Sequence, residues 1–348
     1  MAITLKPLSE QTIVITGASS GIGLTTARRA AREGANVVLV ARNEDALRDA
    51  VQGIEAAGGN AAYCVADIAD SDFPERVGKV AEERFGGFDS WVNNAAASLY
   101  ARLEDVTEEE HRRVFDVGYF GTVAGSLYAV RKLRERGGGA LINTGSVLSE
   151  RAVGVQGAYS AMKHAVLGFT EALRVELQSE DAGISVTLIK PNGIDTMYPE
   201  HARNKMDVPA SVPPIIYDPE LVAKAICFAC ANPKRELLVG GQGYFVTKFG
   251  NLFPGITDVI MSNFMMEEAQ SSKTPPEAGV SDNLFEPRKD GRERSNQDNF
   301  VRKSSLALEA QMHPVATILA GAGALAAAGL VSTLGGKSSR GRSVTRRR

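Results

Sequence analysis

The residues best placed to do chemistry are Tyr159 and Lys163, four apart in a segment patterned as a helix. That spacing puts both side chains on one face, where the ammonium favours the phenolate and draws the tyrosine pKa down from about 10. A tyrosine so tuned is a usable general acid/base. Thirteen residues before it, Gly145-Ser146 closes a strand-like run. This is the carboxyl edge at which open α/β sheets hold ligands, and a serine hydroxyl there would hydrogen-bond a carbonyl oxygen. Near the N-terminus the run Thr16-Gly17-Ala18-Ser19-Ser20-Gly21-Ile22-Gly23 stands between a strand pattern and a helix pattern. Glycines there let the backbone turn sharply and come close to a pyrophosphate, and the helix N-terminus aims amides and its positive dipole end at the phosphates. The next strand ends Ala41-Arg42 where an NAD site would offer an acid to the ribose, so Arg42 points to the 2′-phosphate of NADP.

The elements that must position these residues are legible as alternation. Seven apolar runs of strand length, at 12–16, 36–40, 61–66, 90–93, 140–144, 185–189 and 236–239, alternate with helix patterns near 22–33, 43–57, 71–85, 107–135, 156–180 and 218–232. Repeated βαβ units with right-handed crossovers predict an α/β fold, a doubly wound parallel sheet with helices on both faces.

Thr16-Gly-Ala-Ser-Ser-Gly21-Ile-Gly23, Asp67-Ile68, Asn93-Asn94-Ala95, Ser146, Tyr159-x-x-x-Lys163 and Pro191-x-Gly193 with Thr196 together resemble the short-chain dehydrogenase/reductase family over about residues 8–245. The resemblance implies a Rossmann-like oxidoreductase using NAD(P)(H), with Tyr159 as acid/base, Lys163 holding the nicotinamide ribose and Ser146 orienting the substrate oxygen. It also implies that Asp67 meets the adenine beside Ile68, that Asn93 and Ala95 line the cofactor cleft, and that Ile194 and Thr196, after Pro191, hold the carboxamide. Three positions depart from the family pattern. Ala96 replaces a glycine, Asn192 stands where a glycine of positive φ is usual, and Gly118 stands where the family places a fourth catalytic residue, an asparagine. Gly118 keeps a carbonyl for the water chain leading from the lysine but loses the side chain, which predicts a slower proton relay.

With 44% hydrophobic and 23% charged residues and a net charge of -2, the composition is globular and gives no reason to expect nucleic acid. Cys64, Cys227 and Cys230 form no disulfide framework, which suits a reducing compartment, and Cys227-x-x-Cys230 inside a helix pattern reads as two buried small hydrophobes rather than a metal site. His111, His164, His201 and His313 have no ligand spacing. No secretory signal is expected at the N-terminus. The stretch 247–266 is apolar and Met-rich near its end, and is read as core, dimer face or hydrophobic lid.

The organisation expected is a catalytic domain over 1–266, a polar and largely disordered linker over 267–312, an apolar candidate membrane helix over 313–336 and a basic tail over 337–348. Residues 315–334 carry no charge, and six basic residues without an acid follow in 337–348. Twenty residues suit one span at roughly 1.5 Å per residue. A cytoplasmic catalytic domain tethered to a membrane by its C-terminus follows as the expectation, with a lipophilic carbonyl or alcohol substrate and a homodimer as the family's usual assembly. A second reading, an NADP(H)-binding membrane sensor or scaffold with little catalysis, rests on Gly118 and Ala96.

Overall fold

A computed structural model describes residues 3–275, 280–288, 291–315 and 317. Seven parallel strands make one sheet: β1 Thr12–Thr16, β2 Asn36–Ala41, β3 Asn60–Val65, β4 Ser90–Asn93, β5 Gly139–Thr144, β6 Ile184–Pro191 and β7 Glu236–Val239. Their order is β7-β6-β5-β4-β1-β2-β3, so the chain reverses direction of growth between β1 and β4. In-register parallel pairs such as Val14↔Val38 and Val14↔Trp91 join β1 to β2 on one side and to β4 on the other. Such strands are covered on both faces, which is why Ile13-Val14-Ile15 and Val37 to Val40 are unbroken apolar runs and are buried throughout.

The covering helices are α1 Gly21–Arg32, α2 Glu44–Ala56, α3 Phe73–Phe85, α4 Glu108–Phe115, α5 Gly121–Glu135, α6 Gly157–Ser179 and α8 Pro219–Ala231, with a one-turn α7 Tyr198–His201 between β6 and α8. Local chemistry sets their starts. The Asn43 side chain accepts from the Ala46 amide ahead of α2, Thr107 and Glu110 form a reciprocal box ahead of α4, and Asp218 accepts from Glu220 with Pro219 in the first turn of α8. Trp91, fully buried, packs against Phe88, Tyr128 and Phe73 in the core between the sheet, α3 and α5. After β7 come α9 Gly241–Leu252 and α10 Pro254–Phe264.

One expectation is refined and one corrected. The helix expected over 107–135 runs from Glu108 to Glu135 with right-handed backbone at both junctions, but Asp116–Phe120 form a π-helical turn in it around the buried Gly118, so its two α-helical parts are labelled α4 and α5. The stretch 267–312 does not behave as a disordered linker among its described residues. Leu284 is fully buried in the main core cluster, Arg203 stacks at 5.1 Å over Phe285, and Val301–Arg302 pair in parallel with Ile216–Tyr217. Its charges are spent on distant partners, Asp282 with Arg203, Glu293 with Arg28 and Arg294 with Asp218, which composition alone does not reveal. Leu306–Met312 form α11. Among the described residues no helix is long and apolar enough to cross a membrane. The candidate span 315–334, apart from Val315 and Thr317, and the basic tail 337–348 lie outside the described residues.

Candidate active site

The loops that follow the strands at the carboxyl edge converge on one cavity of about 470 Å³. At its centre lies the turn after β1. Gly17 has φ +66°, and a Cβ there would stand 2.8 Å from the Cα of Ala95. A Cβ on Gly23 would stand 2.1 Å from the Gly17 carbonyl oxygen, so only glycine lets α1 start this close to the turn. Thr16 ties the turn to the loop after β4, its hydroxyl accepting from the amides of Asn94 at 2.9 Å and Ala95 at 3.1 Å. Ser19, Ser20, Gly21 and Ile22 then face the cavity at the N-terminus of α1.

At one end of the cavity Arg42 leaves β2 and Asp67 leaves β3. Burial opposes ionisation of Asp67, but the Ala69 amide and the Arg113 guanidinium, 2.5 Å away, hold its carboxyl below the usual range. Arg42 lies 3.7 Å from the same carboxylate and donates to the carbonyls of Phe285 at 2.6 Å and Asn283 at 2.5 Å. Two guanidiniums face the Asp67 carboxylate, and the Glu286 carboxylate also acts on Arg42.

At the other end α6 presents Tyr159 and Lys163 beside Ser146, which follows β5. Lys163 donates to the Thr144 carbonyl at 2.6 Å and stands 5.6 Å from the Tyr159 ring centroid. Ser146 is within hydrogen-bonding reach of the Tyr159 hydroxyl and accepts from the Leu148 amide at 3.1 Å. Burial lowers the Lys163 ammonium to about 8. Burial raises the Tyr159 phenol, with the Ser146 hydrogen bond offsetting part of the rise. The expectation that Lys163 pulls Tyr159 down is therefore not met in the protein alone: desolvation outweighs a cation turned toward a backbone carbonyl.

A polar cluster next to Tyr159 was not anticipated from sequence. The Tyr198 hydroxyl donates to Gln156 Oε1 at 2.7 Å, leaving Ser98 to donate to Tyr198 at 2.6 Å, and the Tyr198 ring stands 5.4 Å from that of Tyr159. These three residues come from the loop after β4, the position ahead of α6 and the first turn of α7, and no local spacing links them. Around them Ala97, Val147, Leu148, Val153, Met197, Ile260, Met261 and Met265 give the wall an apolar part, beside the polar Arg151, His201, Gln242 and Thr247. Ile260 and Met261 belong to α10, so part of the stretch anticipated as core, dimer face or lid lines the cavity.

A profile of the short chain dehydrogenase family matches residues 11–207, more than half of the chain. The chain belongs to that family. A Bacillus subtilis (strain 168) protein named uncharacterized oxidoreductase YxnA is 41% identical over 330 residues, 94% of this chain and 92% of its own length. A 3β-hydroxysteroid dehydrogenase of Mediterraneibacter gnavus is 34% identical over 197 residues, 56% of this chain and 69% of its own. Among solved structures, L-sorbose reductase from Gluconobacter frateurii, complexed with NADPH and L-sorbose, superposes with TM-score 0.58 at 25% identity, covering 69% of this chain and 97% of that one. As a short-chain dehydrogenase the protein is an oxidoreductase of CH–OH and C=O groups, and the family binds NAD(P)(H).

Of the residues singled out from sequence, Gly17, Ser19, Ser20, Gly21, Ile22, Arg42, Asp67, Ile68, Ala95, Ser146, Tyr159, Lys163, Pro191, Ile194 and Thr196 line the one cavity. Gly23 and Asn93 do not. Gly23 acts through the close approach described above. Asn93 is buried in a network instead, donating to Asn143 and Ser126 at 2.9 Å each and accepting from the Trp91 indole at 2.8 Å, while Asn94 faces the cavity. Of the family departures, Ala96 is exposed, so its methyl group is accommodated. Asn192 is not among the residues of positive φ, so that position asks nothing special of its backbone. The Gly118 carbonyl accepts from the Thr122 hydroxyl at 2.8 Å. Cys227 and Cys230 are free and buried, and burial pushes the Cys230 thiol up to about 12, as suits packing rather than redox or metal chemistry. Asn283, Pro287 and Arg288 also line the cavity and were missed, because they lie in the stretch whose composition reads as disordered.

Proposed function

We propose that the protein is an NADP(H)-linked reductase or dehydrogenase interconverting a ketone or aldehyde and an alcohol with a largely apolar body. The observation that carries this reading is one cavity with Ser146, Tyr159 and Lys163 at one end and the Arg42 corner at the other, joined by the glycine turn. The cavity fits a dinucleotide: the backbone at Gly17 to Ile22 is open for the diphosphate, and the Arg42 guanidinium in the lining suits a 2′-phosphate on the adenosine ribose. Thr196 and Ile194 would hold the carboxamide, and Lys163 the nicotinamide ribose. When bound, the dinucleotide supplies or accepts a hydride.

The chain's own groups do the rest. Tyr159 holds a proton at its hydroxyl and delivers it to the substrate oxygen in reduction, or takes it in oxidation. Its high pKa in the protein alone keeps that proton in place until an anionic oxygen develops. Ser146 donates to the same oxygen. A proton returns to Tyr159 along Lys163, whose pKa near neutrality suits a relay. The apolar part of the wall, from Val147 to Met265, favours a substrate with a hydrocarbon-rich body. The 3β-hydroxysteroid dehydrogenase among the relatives supports that class.

The cofactor half is tested by titrating the full chain with NADPH and NADH. Wild type is expected to bind NADPH more tightly. Arg42→Ala should lose about tenfold in NADPH affinity or more, with NADH nearly unchanged, since one charge-assisted phosphate contact contributes about 1.5–3 kcal/mol. Equal affinities in wild type, or equal losses in the variant, would remove the NADP assignment.

A further inference from the structure

Ser98 and Tyr198 both line the cavity beside Tyr159, and the direction of each hydrogen bond behind their hydroxyls is set from the far end of a chain of side chains. Gln270, fully buried, donates from Nε2 to the carbonyls of Met265 at 2.8 Å and Gly154 at 3.0 Å. A backbone carbonyl only accepts, so both amide hydrogens of Gln270 are committed and its Oε1 must accept. The donor to it is Gln156 Nε2 at 2.6 Å, which turns Gln156 Oε1 toward Tyr198. Tyr198 has one proton and gives it to that oxygen at 2.7 Å. Ser98, 2.6 Å from the Tyr198 oxygen, must therefore spend its own single proton there. Burial pushes the Tyr198 phenol well above its usual pKa, so the proton that fixes this order stays in place.

The result is a pair of hydroxyls with no proton left to give. Ser98 Oγ makes no other hydrogen bond among the described residues, so its lone pairs are open, and at 4% exposure little water competes for them. Gln156 keeps a second hydrogen on Nε2, so the acceptor character belongs to the two hydroxyl oxygens and not to the whole cluster. The reacting end has the opposite polarity, since Tyr159 and Ser146 both donate to the substrate oxygen. The Tyr198 ring stands 5.4 Å from the Tyr159 ring, which brings the two kinds of site within reach of neighbouring groups on one small molecule.

We propose that the Ser98–Tyr198 pair selects a substrate with a hydroxyl close to the reacting carbonyl, an α- or β-hydroxy ketone or, in the oxidising direction, the matching diol. The inference rests on the cavity carrying out carbonyl chemistry at Tyr159. A hydroxyl donates to Ser98 Oγ, whereas a methyl ether at the same place sets lone pairs against lone pairs and is turned away.

The test is NADPH consumption by the full chain with medium-chain ketones in three forms: unsubstituted, with an α- or β-hydroxyl, and with that hydroxyl as its methyl ether. Each kcat/KM is taken relative to the unsubstituted ketone. In the α or the β series, wild type should favour the hydroxy ketone over its ether by about 10- to 100-fold. Ser98→Ala removes the acceptor and should lower the relative value of the hydroxy ketone by at least about fivefold. Tyr198→Phe has the other signature: it frees the Ser98 proton, so the ether should gain at least about fivefold, which a merely structural role of the cluster does not produce. The inference is overturned if wild type treats hydroxy ketone and ether alike in both series, if it prefers the ether, or if both variants keep the wild-type ratios. If wild type reduces none of the ketones, the functional reading falls as well; reduction of the unsubstituted ketone without a preference for the hydroxyl sinks only this inference.

Discussion

Lys163 sits 3% exposed with its ammonium on the Thr144 carbonyl, and the burial that lowers its pKa has a consequence for stability. Its pKa in the folded protein is about 8, below its ordinary 10.5. Below the folded value both states hold the proton and the cost of burying the charge is constant. Between the two values the folded protein has released the proton and the unfolded chain has not, so stability rises with pH across that window. Replacing Lys163 with Met removes this rise. The difference in unfolding free energy, wild type minus Lys163→Met, should grow by about 2 kcal/mol between about pH 8 and pH 10 in urea melts. A difference that stays flat over that range would contradict the lowered pKa of the buried lysine. At this scale the sequence was most legible where roles are set by local spacing. Tyr159 and Lys163 share a helix face and Ser146 ends a strand, and all three line the cavity. Asn93 was misplaced by one residue for an equally local reason. At the end of a strand successive side chains point to opposite sides, so Asn93 turns into the core and Asn94 out to the cleft.

The strands were legible almost to their ends because parallel strands covered on both faces are continuous apolar runs bounded by turns. The long helix pattern over 107–135 hid the π-helical turn Asp116–Phe120, since one extra residue in a turn leaves the apolar periodicity on both sides intact. That turn also changes the meaning of Gly118. A Cβ there would stand 2.5 Å from the Sδ and 2.6 Å from the Cε of Met162, a fully buried residue of α6 lying next to Lys163 in sequence. The methionine fills the space an asparagine side chain would need, so restoring the family residue alone does not restore its water chain. Gly118→Asn is expected to destabilise by about 1–3 kcal/mol through overpacking. Shortening the neighbour with Met162→Ala should relieve it, giving a favourable coupling of about 1–3 kcal/mol in a double-mutant cycle of urea melts. Simple additivity of the two substitutions would show that Gly118 and Met162 do not compete for the same space.

Over the whole molecule, what composition concealed is the second use of the chain's C-terminal third. Residues 267–308 are rich in charge and poor in regularly spaced apolar groups, the signature of a segment unable to bury enough surface to order itself. The described residues among them order by borrowing instead. Leu284 enters a core built by residues more than ninety positions earlier, the Phe285 carbonyl and the Glu293 carboxylate take Arg42 after β2 and Arg28 on α1, and Arg292 pairs with Glu200 on α7. None of these partners is visible as a local pattern. The conventional part of the fold thus brings the reacting groups to one edge of the sheet, and the later segment brings Asn283, Pro287 and Arg288 to the same cavity. The central claim is that this cavity reduces carbonyl groups through Tyr159. Its most direct measurement is NADPH consumption by the full chain against ketones and aldehydes of graded hydrocarbon content, with Tyr159→Phe beside it. The account predicts turnover that rises with apolar bulk and falls at least about a hundredfold in Tyr159→Phe, with NADPH affinity retained. Equal turnover in Tyr159→Phe, or no consumption by a wild type that binds NADPH across the whole series, would contradict it.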